Sequence, residues 1–375
     1  MGMTRRERLR RCYNHEELDR PAVYSRTNYP PDDPTYDGLR EYLETHSELK
    51  RGWHGLRETC PPATETRVER VSDEWERRVT VLHTPAGDLT SSCRVSLTGQ
   101  PGLQEESLIK SPGDAERYLS LPPPTFDPDV GGFSKADREA GDRGIVQVGP
   151  GMNPGGHVAQ LCGSEGFALF SVTEREMLHR LLKRRMEALL GRVRFLLSKG
   201  VGPYFGLAGE EFVTPPLHGP KDFRDFNVRY DKPIVDLVHE AGGRVHVHCH
   251  GSIQRVFDGF LETGVDVLHP FEAPPQGDIT PAEAKERARG RICLEGNLQI
   301  NRMYEADPEE VAEETRALIE TCFDDRKGLI VSPTASPYIR GAGEECLPRY
   351  RAMVEAVLEW GGGGPPIRHR PRAGG

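Results

Sequence analysis

The stretch that most constrains the fold is R-V-H-V-H-C-H-G, residues 244–251, in which three histidines alternate with small residues. Successive side chains of a strand point to opposite faces, so His246, His248 and His250 share one face and the other face is apolar. In a closed barrel, surrounding helices cover the apolar face and polar groups at the carboxyl ends of the strands line the site. The stretch therefore predicts a barrel strand with a functional site near His248 and His250.

The same spacing favours a metal site. Neutral imidazole is the commonest protein metal ligand, and His248 and His250 are one strand step apart. The nearest downstream carboxylate is Glu272, which follows a short apolar segment that we predict to be the next strand. We therefore predict a divalent metal, zinc first, held by His248, His250 and Glu272. In the other interpretation the histidines bind substrate directly, and His246 is either a substrate contact or a core residue.

Size and composition narrow the class of protein. A chain of 375 residues with 36% hydrophobic content can bury a barrel of about 250 residues together with excursions. The net charge of −9 argues against a nucleic-acid surface. Eight cysteines without a C-x-x-C pair, an amino terminus without an apolar signal region and no long apolar run predict a cytoplasmic protein that does not enter a membrane.

Eight candidate strands predict an α/β fold, a (β/α)8 TIM-type barrel with an N-terminal elaboration. We expect the barrel domain to span 1–360, with an irregular excursion at 27–143, and a disordered tail at 361–375. Within the excursion, alternation on both sides of Pro85-Ala86-Gly87 predicts a hairpin over or beside the barrel. The eight strands centre on Val23, Val81, Val146, Phe205, Val247, Val267, Cys293 and Ile330.

Further polar residues follow other predicted strands, where a barrel carries its site. Glu210 and Glu211 end one strand but face different ways, so at most one points into the site, as a catalytic general base or a substrate contact. Glu295 and Asn297 reach the same rim. They either bind substrate or hold the loop that contains them.

Several blocks in order resemble the uroporphyrinogen decarboxylase superfamily over nearly the whole chain. They are T-R-R-E-R-L-R-R-C-Y-N-H-E-E-L-D-R-P, G-E-E-F-V-T-P-P-L-H-G-P-K-D-F-R-D-F-N-V-R-Y-D-K-P-I-V, the H-C-H-G strand end, E-G-N-L-Q and P-T-A-S-P. The resemblance implies a (β/α)8 barrel. The heme-pathway decarboxylase has an Arg-rich segment after its first strand that grips substrate carboxylates, whereas Arg26 stands alone here.

The cobamide-dependent methyltransferase branch of that superfamily resembles the chain more closely. Its zinc is held by a His-x-Cys-Gly strand end and a distant cysteine. His248 matches the histidine, but His250 replaces the first cysteine, and Ala335 lies about where the second belongs. Loss of both thiolates leaves a harder ligand set that also suits iron(II), manganese or cobalt.

Three functional hypotheses follow. The first is a metal-dependent methyl or alkyl transferase of a small molecule that works with a corrinoid protein. The second is a metal-free decarboxylase of a polycarboxylate, with histidines and Arg26 on the substrate. The third is a non-catalytic barrel that binds a small ligand or docks a corrinoid partner. The sequence leaves the substrate and the oligomeric state open.

Overall fold

The computed structural model of the protein describes residues 2–26, 28–98, 100 and 102–361. Eight parallel strands form one sheet in the order β1-β12-β11-β10-β9-β8-β7-β2. Its strands are β1 Ala22–Val23, β2 Leu49–Trp53, β7 Gly144–Val148, β8 Tyr204–Ala208, β9 Arg244–His248, β10 Val267–His269, β11 Cys293–Leu298 and β12 Leu329–Pro333. Apart from Gly361, the predicted tail at 361–375 lies outside the described residues.

The first and last strands of that order meet, which curls the sheet into a ring. The amide of Glu48, just before β2, donates to the carbonyl of Val23 in β1 at 2.9 Å. The buried carboxylate of Glu48 accepts from the Val23 amide at 2.7 Å and pairs with Arg8 and Arg20 at 2.7 Å each. A buried charge is tolerated only when it is paired, so the two arginines allow Glu48 to link the two strands.

Helices surround the sheet and cover its apolar face. They are α1 Arg5–Tyr13, α2 Asp37–His46, α3 Pro112–Leu119, α4 Gly131–Ala140, α5 Pro154–Cys162, α6 Ser164–Thr173, α7 Arg175–Ser198, α8 Pro220–Phe223, α9 Arg229–Glu240, α10 Phe257–Thr263, α11 Pro281–Ala288, α12 Arg302–Glu305, α13 Pro308–Cys322 and α14 Gly343–Trp360. Val245, Val247 and Cys249 are buried in the core between sheet and helices, as the alternation predicts. Among the described residues, none of the helices combines the length and the apolar character that crossing a bilayer requires.

The prediction for the second barrel strand was wrong. Val81 belongs to a separate four-stranded antiparallel sheet, which lies between β2 and β7 in the sequence and contains the predicted hairpin as β4 and β5. The barrel strand is L-K-R-G-W, residues 49–53, which has no apolar run because Lys50 has its partner inside the barrel. The separate sheet consists of β3 Thr64–Arg70, β4 Trp75–Leu82, β5 Leu89–Ser96 and β6 Leu103–Glu106.

Candidate active site

A cavity of about 340 Å³ opens inside the ring of strands. Four of the predicted site residues line it, Arg26, His246, His248 and Glu295, whereas Glu210, Glu211, His250, Glu272 and Asn297 are not part of its lining. Nine of its sixteen lining residues have polar or charged side chains, and four are glycines. The remaining lining residues are Tyr24, Asn28, Lys50, Gly52, His54, Gln147, Gly149, Gly151, Met152, Gly206, Leu207 and Ala208.

A buried ion pair forms the floor of the cavity. The ammonium of Lys50 contacts Oε2 of Glu295, and both side chains are almost completely buried. Burial by itself would raise the pKa of Glu295, but the charge of Lys50 and the nearby imidazole of His246 hold it well below its usual range. Glu295 is therefore an anion at neutral pH, and Lys50 neutralises it.

His246 lies beside this pair as a neutral base. Its Nε2 is 3.4 Å from Oε2 of Glu295, without the geometry of a hydrogen bond, and has no other hydrogen-bond partner among the described residues. Burial, helped by the charge of Lys50, lowers the pKa of His246 to about 4. On its other side, Nδ1 of His246 is 3.4 Å from Nε2 of Gln147, whose Oε1 accepts from the hydroxyl of Tyr13 at 3.3 Å.

A second group of imidazoles lies at the strand ends. Nδ1 of His248 is 2.9 Å from Nδ1 of His269, and Nε2 of His269 is 3.1 Å from the carbonyl of Pro333. Nη1 of Arg26 lies 2.8 and 2.9 Å from the two ring nitrogens of His248. Burial lowers the pKa values of His248 and His269, and the neighbouring imidazoles and Arg26 lower them further. Both rings are neutral in this setting.

His250 and Glu272, which we predicted as metal ligands, contact each other. Oε2 of Glu272 is 3.1 Å from Nδ1 of His250 and accepts from the Gly251 amide at 2.8 Å. The rings of His248 and His250 pack edge to face, with their centroids 4.5 Å apart. His248 and His250 are therefore neighbours, but the Nδ1 atom of His248 contacts His269 and that of His250 contacts Glu272.

Glu210 and Glu211 lie beyond the end of β8, in a short 3-10 helix, Glu210–Val213, so the alternation of a strand does not decide which way they point. Glu210 is buried and both its carboxylate oxygens lack a hydrogen-bond partner among the described residues. Burial and the nearby Asp231 and Glu211 raise its pKa well above the usual range. Burial also raises the pKa of Glu211, while the imidazole of His250 and the charge of Arg26 oppose that rise. Of the two, Glu211 is therefore the one influenced by the site residues His250 and Arg26, whereas Glu210 is influenced by Asp231.

Asn297, the last of the predicted rim residues, lies at the end of β11. Its Oδ1 is buried without a hydrogen-bond partner among the described residues. That unused acceptor is available to a donor group, but the side chain does not line the cavity. Its predicted role in substrate binding stays a prediction.

Whether the residues fit a metal ion depends on which donors come together. Across the described part of the chain, a single group of three or more histidine, cysteine or carboxylate ligands has its ligand atoms within 4.8 Å of one another: His246, His269 and Glu295. His248, His250 and Glu272 do not form such a group. Two imidazoles and a carboxylate suit zinc, iron(II), manganese or cobalt. Nε2 of His246 has no hydrogen-bond partner among the described residues, so it can serve as a metal ligand. The ligand types of this group therefore suit a metal ion, which would have to displace the ammonium of Lys50 from Glu295.

Sequence reasoning missed Lys50, Gln147 and His269. Gln147 was in a predicted strand, G-I-V-Q-V, as its one polar residue, and that isolated polar position was a usable signal. His269 ends β10 and its Cα is in register with that of His248. Lys50 lies in a strand that carries no recognisable strand pattern, so only the fold reveals it.

Comparison with known proteins identifies the family. The sequence matches the family Uroporphyrinogen decarboxylase (URO-D) over residues 154–357, which is more than half of the chain. The chain belongs to this family.

Among solved structures, the fold is similar to that of a methyltransferase from Methanosarcina mazei, with a TM-score of 0.61 and 14% sequence identity over 96% of this chain and 99% of that one. A D-psicose 3-epimerase from Clostridium cellulolyticum H10 matches with a TM-score of 0.35 and 12% identity over 60% of this chain and 81% of that one. No curated protein sequence matches the chain significantly. The first similarity supports the α/β barrel prediction.

Proposed function

We propose that this protein is a metal-dependent methyl or alkyl transferase that acts on a small anionic molecule, with a corrinoid protein as the partner that exchanges the alkyl group. The observation that carries the proposal is the pair of neutral imidazoles, His246 and His269, that lies with the Glu295 carboxylate in the barrel interior, with the neutral ring of His248 beside His269. Membership of the URO-D family and the fold of a solved methyltransferase support the same class of chemistry.

The charges of the cavity favour an anion as the substrate. Lys50 is neutralised by Glu295, and the surrounding histidines are neutral. Arg26 contacts His248 and has no carboxylate partner among the described residues, so it supplies the net positive charge. A guanidinium binds a carboxylate or phosphate through two parallel hydrogen bonds. Arg26 therefore orients the substrate over the histidines.

A divalent metal, when bound, would act as a Lewis acid on a substrate oxygen or thiol. The residues that would hold it are His246, His269 and Glu295, or the strand-end set of His248, His250 and Glu272. Glu211, whose raised pKa makes it a better proton acceptor than an ordinary carboxylate, lies on the side of His250 and Arg26. It is the candidate to receive a proton from the substrate.

Elemental analysis tests the proposal because the two candidate ligand sets share no residue. The protein is treated with chelator, reloaded with zinc, iron(II), manganese or cobalt, and compared with His246→Ala and His250→Ala. The control is His46→Ala, an exposed histidine on α2. About one ion per chain, lost in one of the two site variants and kept in the control, supports the proposal and selects the ligand set. Wild-type protein that retains no ion overturns it.

Activity is then measured with a panel of methylated and methoxylated acids, using a corrinoid acceptor. Alkylation of the corrinoid that depends on the reloaded ion is the expected result. Ion binding without any alkyl transfer across the panel would contradict the transferase assignment while leaving the metal site standing.

A second candidate is metal-free decarboxylation of a polycarboxylate. It is favoured by the Lys50 and Glu295 pair, because an ammonium already occupies the carboxylate that a metal would need. It predicts release of carbon dioxide by protein that contains no metal. Loss of turnover on adding chelator would count against it.

A further inference from the structure

We propose that His269 is a positioning residue, which fixes the tautomer of His248 so that Nε2 of His248 keeps its lone pair. The proposal starts from one backbone group. The carbonyl of Pro333 lies 3.1 Å from Nε2 of His269 and can only accept a hydrogen bond. Nε2 of His269 therefore carries the hydrogen. Because His269 is completely buried beside two other imidazoles, the ring is neutral and its Nδ1 is a bare acceptor.

The tautomer of His269 determines the tautomer of the neighbouring ring, His248. The Nδ1 atoms of His248 and His269 are 2.9 Å apart, and a contact between two ring nitrogens needs one hydrogen. Since Nδ1 of His269 is the acceptor, Nδ1 of His248 is the donor. Nε2 of His248 is then left with its lone pair. The guanidinium of Arg26, which has only donors, lies 2.9 Å from Nε2 and 2.8 Å from Nδ1 of His248, and in this tautomer only Nε2 can accept from it.

The parallel strand register holds this arrangement in place. His248 and His269 are Cα partners on neighbouring strands, so their side chains leave the sheet side by side. Their rings stack with centroids 5.0 Å apart and planes inclined by 20°. Neither ring can rotate freely without breaking a contact to Pro333 or to its neighbour.

Glu272 contacts His250 through the corresponding ring nitrogen. Its Oε2 is anchored by the Gly251 amide and accepts from Nδ1 of His250. A histidine that binds a metal through one nitrogen donates its other N–H to a carboxylate, carbonyl or similar acceptor. His269 occupies that supporting position beside His248. If the proposed metal binds through the strand-end set, His269 orients His248 and does not coordinate the ion itself.

This inference extends the proposed function, but its first test does not depend on it. Metal-free protein is labelled with ¹⁵N in histidine, and the His248 signals are assigned by their absence in His248→Gln. Protonated and bare ring nitrogens differ widely in chemical shift. We expect one tautomer, with hydrogen on Nδ1 and none on Nε2. A mixture of tautomers, or hydrogen on Nε2, overturns the proposal whatever the protein catalyses.

Variants at position 269 provide the second test. In His269→Gln, the amide N–H₂ can donate to Pro333 while the amide oxygen accepts from His248. His269→Leu keeps the volume but offers neither group. We expect Gln to retain the single His248 tautomer and Leu to give a mixture, with Co²⁺ affinity in the Leu variant about 10- to 100-fold weaker. Equal tautomer populations in the two variants would mean that His269 does not position His248. If wild type binds no Co²⁺, only the metal assignment fails, since the tautomers are read without metal.

Discussion

The ammonium of Lys50, on β2, and the carboxylate of Glu295, on β11, form an ion pair across the interior of the barrel, and both side chains are almost completely buried. Lys50 also lies over the ring of Tyr24, 4.7 Å from its centroid. Removing one partner of a buried pair leaves the other charge uncompensated, which costs far more than an exposed pair contributes.

Lys50→Met is therefore expected to lower the free energy of unfolding by about 3–5 kcal/mol. Adding Glu295→Gln to that variant should restore much of the loss, because the remaining buried charge is removed. Chemical denaturation of the wild type, both single variants and the double variant measures the coupling. Lys183→Met, at an exposed position of α7, is the control and should have little effect. Additive losses in the double variant would contradict a paired site.

The stability of the protein should fall in mild acid because His246 is buried as a neutral base. The pKa of His246 is about 4 in the folded protein, against about 6.5 in the unfolded chain. The unfolded state takes up the proton first, so the contribution of His246 is complete above pH 6.5 and decreases as the pH falls toward 4. The full loss is about 3 kcal/mol.

Urea denaturation at several pH values between 4 and 7 tests this, with His246→Gln as the comparison. The variant has no imidazole at this position, so its stability should decline less steeply than that of the wild type. His157, whose pKa burial lowers to about 3, contributes the same slope to both proteins and cancels. Parallel curves for the two proteins would rule out a neutral, buried His246.

Because of Asp231, the free energy of unfolding should decrease as the pH rises toward 8. Burial raises its pKa to about 8, although the amide of Asn153 favours the ionised form. Between pH 4 and 8 the folded state binds more protons at Asp231 than the unfolded state does, so its contribution to stability falls as the pH rises.

Asp231→Asn keeps an oxygen that accepts from Asn153 and cannot ionise. Its advantage over the wild type in melting temperature should therefore grow from pH 5 to pH 8. Asp236→Asn, on the same helix α9, removes an exposed carboxylate paired with Lys232 and is the matched control. A constant difference across this pH range, or the same trend in the control, would refute the shifted pKa.

Gly206 makes room for Gln147 next to His246. A Cβ atom at position 206 would lie 2.2 Å from Nε2 of Gln147, so Gly206→Ala must displace the amide from His246. We expect turnover, or metal affinity, to fall about tenfold, as for the loss of an orienting contact.

Gly191→Ala is the control for that substitution. Gly191 lies within α7, a Cβ there would meet nothing within 4 Å, and the alanine should stabilise the protein by about 1 kcal/mol. Activity measured beside thermal unfolding separates the two effects. Full activity in Gly206→Ala would show that Gln147 does not support His246.

Local sequence patterns were sufficient for much of the fold. Alternation placed His246 and His248 on one face of β9, and both line the cavity. His250, Glu210 and Glu211 lie beyond the ends of their strands, where alternation no longer applies. The prediction for His246 and His248 depends on the period of a strand, which is a property of neighbouring residues alone. The strand Leu49–Trp53 was missed for the opposite reason: the residue that makes it a barrel strand, Lys50, is buried only because Glu295 lies opposite.

By itself, the sequence determined the (β/α)8 class, the histidine face and the strand end where chemistry is concentrated. Only the tertiary structure decided which side chains meet there. Gln147, Lys50 and His269 come from β7, β2 and β10, and they reach His246, Glu295 and His248 because the parallel register and the closure of the ring bring distant strands side by side. Such pairings depend on register between strands, whereas the period of a single strand carries no information about what lies opposite.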